Sequence, residues 1–259
     1  MNLTEIDRIN VIRNEVSTIS RQEPEASKRV IFLGMLFVSF LIVSNLTAFK
    51  IVEFHLSNGL ALNFPAALVF FPLTYFFDDV LTEVYGFKMS RLIIWGGLIC
   101  SALMTFCTWI AVQLPAAPLW DVNTHHGNQA YALVFEGSLR VFLASMIAYF
   151  FGEFMNSTIL AKLKVLTRGR YFSLRVMSST AIGVGIDTVI FCNVAFLNIM
   201  PTDVIWKIIV TQYFIKLAYE FLMLPLTYAL VSHLKKRDKI DHFDTDTRFN
   251  PFSLRLTNK

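Results

Sequence analysis

The sequence predicts an all-α membrane protein, a bundle of six transmembrane helices with both termini in the cytoplasm. Three observations carry that expectation. The 259 residues are 55% hydrophobic and only 16% charged, with a mean hydropathy of +0.54 and 25 phenylalanines, outside the range of soluble globular chains. Apolar runs long enough to cross a bilayer recur along the chain. Between them, Lys and Arg collect in alternate connections, which orients such a bundle.

Residues 1–28 are polar, with Ile6, Ile9, Ile12, Val16 and Ile19 at helical spacing until Pro24. They are too charged for the core of a signal peptide and read as an amphipathic lead-in on the membrane face. A transmembrane domain over 29–236 follows, with spans expected at Val30–Phe49, Phe64–Val84, Leu92–Leu114, Val141–Leu163, Val176–Met200 and Val204–Leu234. Each is near or above the roughly 20 residues a bilayer requires. Residues 237–259 form a cytoplasmic tail. Nineteen of the 23 Lys and Arg fall on one side of the predicted bundle and three, Lys50, Arg140 and Lys207, on the other, while Lys216 lies within the sixth span. The basic balance, with pI near 9.0, therefore reads as topology signals facing anionic lipid, with no direct nucleic-acid partner.

Ser57, Asn58 and Gly59 mark a turn between the first two spans, and Pro115–Ser138 is the longest outer loop, whose Trp120, Asp121, His125 and His126 cap the bundle. Ala144, Ala148 and Gly152 in the fourth span, and Ser179 and Gly183 in the fifth, recur every four residues. Such small-residue rows let backbones approach, so these two helices are expected to pack together. The tetrapeptide PLTY occurs at Pro72–Tyr75 and at Pro225–Tyr228, but the flanks do not match, so two independent proline kinks are expected. Cys100, Cys107 and Cys192 sit in apolar runs as packing residues, and the histidines have no metal-ligand spacing.

Polar groups inside the spans point to a task. An ionised carboxylate at mid-bilayer costs about 2.5–3.5 kcal/mol on insertion scales, yet the second span carries Asp78, Asp79 and Glu83. At 100° per residue Tyr75, Asp79 and Glu83 share one face, and Asp78 points about 100° from Asp79. Asn45 on the first span, Glu153 on the fourth, Asp187 on the fifth, and Gln212, Lys216 and Glu220 on the sixth add to the set. Lys216 and Glu220 are spaced to pair on their own helix, which leaves the other acids without a local cation. The polar positions are expected in a middle or inner band, as a midplane site requires. No metal motif, nucleophile elbow or glycine-rich phosphate loop supports an enzyme.

The stretches SNLTAFKIV (Ser44–Val52), FFPLTYFFDDVLTEVYGF (Phe70–Phe87), LASMIAYFFGEFMNSTILAKLKVLTRGR (Leu143–Arg170), SSTAIGVGIDTVIFCNVAF (Ser178–Phe196), QYFIKLAYEFLMLPLTY (Gln212–Tyr228) and FNPF (Phe249–Phe252) together resemble the queuosine precursor transporter family, of the vitamin-uptake-transporter type. The resemblance implies a six-helix inner-membrane carrier, similar in architecture to the substrate-binding components of energy-coupling-factor transporters. It implies 7-deazaguanine substrates such as preQ0, preQ1 or queuine, destined for tRNA modification, and no cofactor. Asn45, Asp79, Glu83, Gly152, Glu153, Asp187, Thr188 and Lys216 fall on the family's motif positions.

The residue chemistry suits such a substrate. A deazaguanine presents N1–H beside an exocyclic amine, a donor pair that one carboxylate accepts, and its carbonyl calls for a donor such as Lys216 or Gln212. Substrate contacts are accordingly expected from Asn45, Tyr75, Asp79, Glu153, Asp187, Gln212 and Lys216, with Tyr75, Tyr149, Phe191 and Tyr213 available for stacking. Glu83 and Glu220 are candidates for gating or proton coupling. The acid surplus favours an aminomethyl-bearing, cationic precursor over a neutral nitrile. The alternative within transport is a vitamin- or purine-binding subunit served by an ATP-driven module. The first span has Gly34, Ser39 and Ser44 but no four-residue alanine row to dock one, which favours a stand-alone carrier.

Overall fold

The computed structural model describes residues 28–48, 50–55, 61–118, 127–135 and 139–253. The lead-in over 1–27, the Ser57–Asn58–Gly59 turn, and Trp120, Asp121, His125 and His126 lie outside them. Helix α1 (Lys28–Thr47) leads into an antiparallel hairpin, β1 (Ile51–His55) and β2 (Ala61–Pro65), in register from Ile51↔Pro65 to His55↔Ala61. A 3-10 turn (Ala66–Val69) follows, then α2 (Pro72–Tyr85), α3 (Phe87–Gln113), α4 (Gly127–Phe135), α5 (Leu139–Leu166), α6 (Phe172–Phe196) and α7 (Thr202–Asp238). Five stretches among the described residues are long and apolar enough to cross a membrane: α1, α3, Gly127–Leu166, α6 and α7. Their outer faces carry Ile31, Phe32, Ile99, Leu103, Phe106, Phe214, Phe221 and Leu222 exposed, the surface a lipid environment requires.

The second expected span is the exception. Phe64–Val84 is not one helix: its first residues belong to the hairpin and the 3-10 turn, and α2 has only 14 residues, about 21 Å of helix. Helix α2 instead packs against α3, α5 and α7, and twelve of its residues are buried. Irregular backbone at membrane depth is tolerated where protein covers it, and the break is partly covered, with Leu68 buried and the Ala66 N–H donating to the Lys50 carbonyl (2.8 Å). Pro72 is consequently not a kink. It occupies the first turn of α2, where a missing N–H costs nothing, whereas Pro225 does lie inside α7.

Helices α5 and α6 form the most extensive pair, as the small-residue rows require. A Cβ placed on Gly183 would lie 2.9 Å from the Gly152 carbonyl oxygen and 2.9 Å from the Asn156 Cβ, and one on Gly152 would lie 2.7 Å from the Asp187 Cβ. Phe37, Leu41, Val80, Leu81, Phe87 and Ile94 fill the apolar centre between α1, α2 and α3.

After α7, Lys239 in the left-handed region (φ 55°) turns the chain back across one end of the bundle. The strap is fastened by backbone and side chain. His242 N–H donates to the Val84 carbonyl (3.2 Å), Phe87 N–H to the Asp244 carboxylate (3.0 Å), Arg91 to the Asn250 carbonyl (2.9 Å) and the Trp95 indole to the Pro251 carbonyl (2.7 Å). Phe249 packs on Phe87 with ring centroids 5.1 Å apart, so the FNPF motif is a clasp on α3.

Candidate functional site

A cavity of about 300 Å³ lies between α1, α5, α6, α7 and the segment leading into α2. That volume is at the lower end of small-molecule sites. Its polar lining comes from Ser44 and Asn45 on α1, Ser145 on α5, Asp187 on α6, and Gln212 and Lys216 on α7. Phe71, Phe191 and Phe196 supply aromatic walls. The non-helical approach to α2, Pro65 to Phe71, delivers Pro65, Ala67, Leu68 and Phe71 to the cavity, which a continuous helix would not do.

One ion pair dominates the cavity. Lys216 Nζ donates to Asp187 Oδ2 at 2.5 Å and to Thr188 Oγ1 at 3.3 Å, and sits 4.8 Å from the centre of the Phe71 ring. The side chains are 9% and 6% exposed, so the two charges interact with little water between them. Pairing across helices, rather than with Glu220 on its own helix, neutralises the one acid that faces the cavity. Among the described residues no hydrogen bond reaches Asp187 Oδ1, which remains able to accept one. Asn45 is held by Ser145, which donates to its Oδ1 at 3.0 Å, and by Ser101, 3.4 Å from its Nδ2.

Of the expected contact residues, the structure thus brings Asn45, Asp187, Gln212 and Lys216 together and leaves Tyr75, Asp79 and Glu153 behind the cavity wall. Tyr75 is buried with its hydroxyl unpartnered. Glu153 accepts from Thr74 at 3.0 Å through Oε1, and its Oε2 has no partner. Asp79 accepts from Asn156 (2.8 Å) and Thr180 (3.4 Å). Asp78, for which the sequence offers no role, accepts three hydrogen bonds: Ser90, Ser157 (2.6 Å) and Asn156 (3.2 Å) all donate to it, tying α2 to α3 and α5. Among the stacking candidates only Phe191 lines the cavity, and Tyr149 donates to the Ile94 carbonyl instead. Phe71 and Phe196 carry no sequence signal, being aromatics in apolar runs.

The cavity runs from the end of the bundle opposite the basic end down to Asp187 and Lys216 near the middle of their helices. At the basic end Glu83 is fully buried and closes the bundle. Arg175 reaches it with both guanidinium nitrogens (2.6 and 3.2 Å), Lys235 donates at 2.7 Å, and Lys164 stands 3.8 Å away. Asp241 on the strap meets Lys164 at 2.6 Å and Lys235 at 2.9 Å. Partial burial raises the Asp241 carboxyl, but the hydrogen bonds and charges of the two lysines outweigh it and hold the group below the usual carboxylate range. No cluster of three His, Cys, Asp or Glu able to hold a metal occurs among the described residues.

Comparison with known proteins identifies the family. The sequence profile of the family described as "Putative vitamin uptake transporter" matches residues 65–230. The chain is also similar to the "Probable queuosine precursor transporter" of Bacillus subtilis (strain 168), 31% identical over 163 residues, which is 62% of this chain and 69% of that one. No solved structure matches. The profile runs from the hairpin's last residue through most of α7, taking in the cavity lining other than Ser44, Asn45 and Ala48 and, at the basic end, Glu83, Lys164 and Arg175, so the chain belongs to the vitamin uptake transporter family and is a multi-pass membrane transport protein.

Proposed function

We propose that this transporter imports queuosine precursors of the 7-deazaguanine class across the inner membrane for tRNA modification. The observation that carries the reading is the cavity with one ion pair, two amides and aromatic walls. Asp187 Oδ1 accepts the N1–H and exocyclic amine, Lys216, Gln212 or Asn45 donates to the carbonyl, and Phe71, Phe191 or Phe196 packs on the flat ring. Base–aromatic stacking of this kind contributes about 1–3 kcal/mol. The name of the Bacillus subtilis relative supports the same substrate class. Both termini lie in the cytoplasm, where the basic end belongs. The cavity then faces the outside, while Glu83, Arg175, Lys235 and the strap seal the inside.

Because Asp187 and Lys216 balance and the α2 acids stand behind the wall, the cavity is neutral. The aminomethyl-bearing precursor then gains nothing from the acid surplus, and the two precursors should compete about equally for uptake.

Complementation tests the function. In a strain unable to make or import precursor, the chain should restore queuosine in tRNA, and Asp187→Asn or Lys216→Met should lower initial uptake by about tenfold or more, the loss of a charge-assisted hydrogen bond. Absence of queuosine with well-expressed wild-type protein would overturn the substrate, and full activity of both variants would overturn the site.

A further inference from the structure

Behind the cavity wall lies a second polar site that solute contacts do not use. Glu220, in the middle of α7, is 1% exposed and neither of its carboxylate oxygens has a hydrogen-bond partner. Its helix packs on α2, where Asp79 is fully buried, and Glu220 is the foremost charge acting on Asp79, ahead of the adjacent Asp78. Two further buried polar groups around Asp79, the Thr82 hydroxyl on its own helix and the Asn156 Oδ1 acceptor on α5, are also without partners. The donors that Asp79 does have, Asn156 and Thr180, satisfy only part of one carboxylate.

Among the described residues, the surrounding charges leave no protein cation for this pair. On α2, Asp78 is held by Ser90, Ser157 and Asn156, and Glu83 by Arg175 and Lys235. From α3, Arg91 reaches the strap at Asn250. On α5, Glu153 takes Thr74, and Lys164 stands with Glu83 and Asp241. On α6, Arg175 is committed to Glu83, and Asp187 to Lys216. On α7, Lys216 is thereby occupied, and the remaining titratable neighbour of Glu220 is Tyr219, a donor at most. Two ionised carboxylates cannot face each other in a water-poor interior, whereas one proton between them supplies both the missing donor and the charge compensation.

We propose that Asp79 and Glu220 share one proton and form the ion-coupling site of this transporter, loaded and emptied once per cycle and separate from the solute cavity. The proton arrives from water on the outer side, forms an O–H bond on one of the four carboxylate oxygens, and leaves to water on the inner side. No bond of the solute changes. Helices α2 and α7 are suited to this exchange, because α7 also carries Lys216 to the cavity and Lys235 to the Glu83 closure.

The inference rests on the transport reading, so its test has one arm that needs no solute. Infrared difference spectra of the full-length protein, wild type minus Asp79→Asn/Glu220→Gln, should contain a protonated-carboxyl C=O band at pH 7 that is unchanged when sodium replaces choline in the buffer. Each single variant should shift it. Absence of that band, or its loss on adding sodium, would overturn the shared proton. In the second arm, liposomes containing the protein and clamped at zero membrane potential take up the neutral nitrile-bearing precursor. A gradient of one pH unit, acid outside, should support about tenfold accumulation by the wild type, as one proton per solute requires. Glu220→Gln should equilibrate solute without accumulating it. Accumulation by the variant, or exchange by the wild type without any response to the gradient, would overturn coupling. If the wild type neither accumulates nor exchanges this solute, the substrate reading fails, and the infrared band still decides the proton.

Discussion

Asp187 and Lys216 hold each other across α6 and α7 with little access to water. Removing one partner strands the other as a buried charge, which costs about 3–5 kcal/mol, whereas removing both does not. Lys216→Met alone is therefore expected to lower the melting temperature in detergent more than Asp187→Asn/Lys216→Met, although both lower uptake by about tenfold or more. Equal melting of the two would show that Asp187 hydrates when freed. The polar members of the cavity were legible in the sequence because an amide or charge inside an apolar span has no inexpensive bland explanation. Their partners were not. Lys216 has a nearby acid four residues on, but helix packing places Asp187 closer, and no local rule sees across helices.

Helix α2 owes its position to its two ends. Pro72 starts it, and Gly86 (φ +87°) ends it with the strap lying directly above. A Cβ on Gly86 would stand 2.2 Å from His242 Cδ2, in a backbone region that only glycine enters readily. Gly86→Ala is expected to cost about 1–3 kcal/mol and to loosen residues 240–253, read as faster hydrogen exchange there. At the α5–α6 crossing the contact is backbone to backbone. Gly183→Ala should separate these helices at a cost of about 1–3 kcal/mol and displace Asp187, so uptake falls together with thermal stability. Uptake unchanged in a stable Gly183→Ala protein would mean that the cavity tolerates the shift. The small-residue rows announced this crossing. The irregular approach to α2 was hidden because a short apolar run reads alike as helix or as buried extended chain.

The whole bundle is closed at its basic end by Glu83 and the strap, and Asp241 joins the two through Lys164 and Lys235. Since the Asp241 carboxyl is held below its ordinary value, its contribution is present above the unfolded value and is lost only as pH falls through the folded one. Protection of the strap from proteolysis should therefore be unchanged from pH 8 to pH 5 and decline below about pH 4. Asp241→Asn should weaken it at neutral pH, and strap release already at pH 5 would contradict the assignment.

Hydropathy, charge asymmetry and residue spacing by themselves determined that this chain is a membrane bundle, that α5 and α6 meet, and that its spans carry polar residues a passive anchor does not need, because bilayer thickness and the cost of burying charge act on each segment separately. Only the tertiary structure decided which acid faces the cavity, which stands behind it with Glu220, and which is merely satisfied. Asp78 and Asp79 are neighbours in sequence with the same side chain. Asn156 serves both, and their difference comes from Ser90 and Ser157, which donate to Asp78, and Thr180, which donates to Asp79.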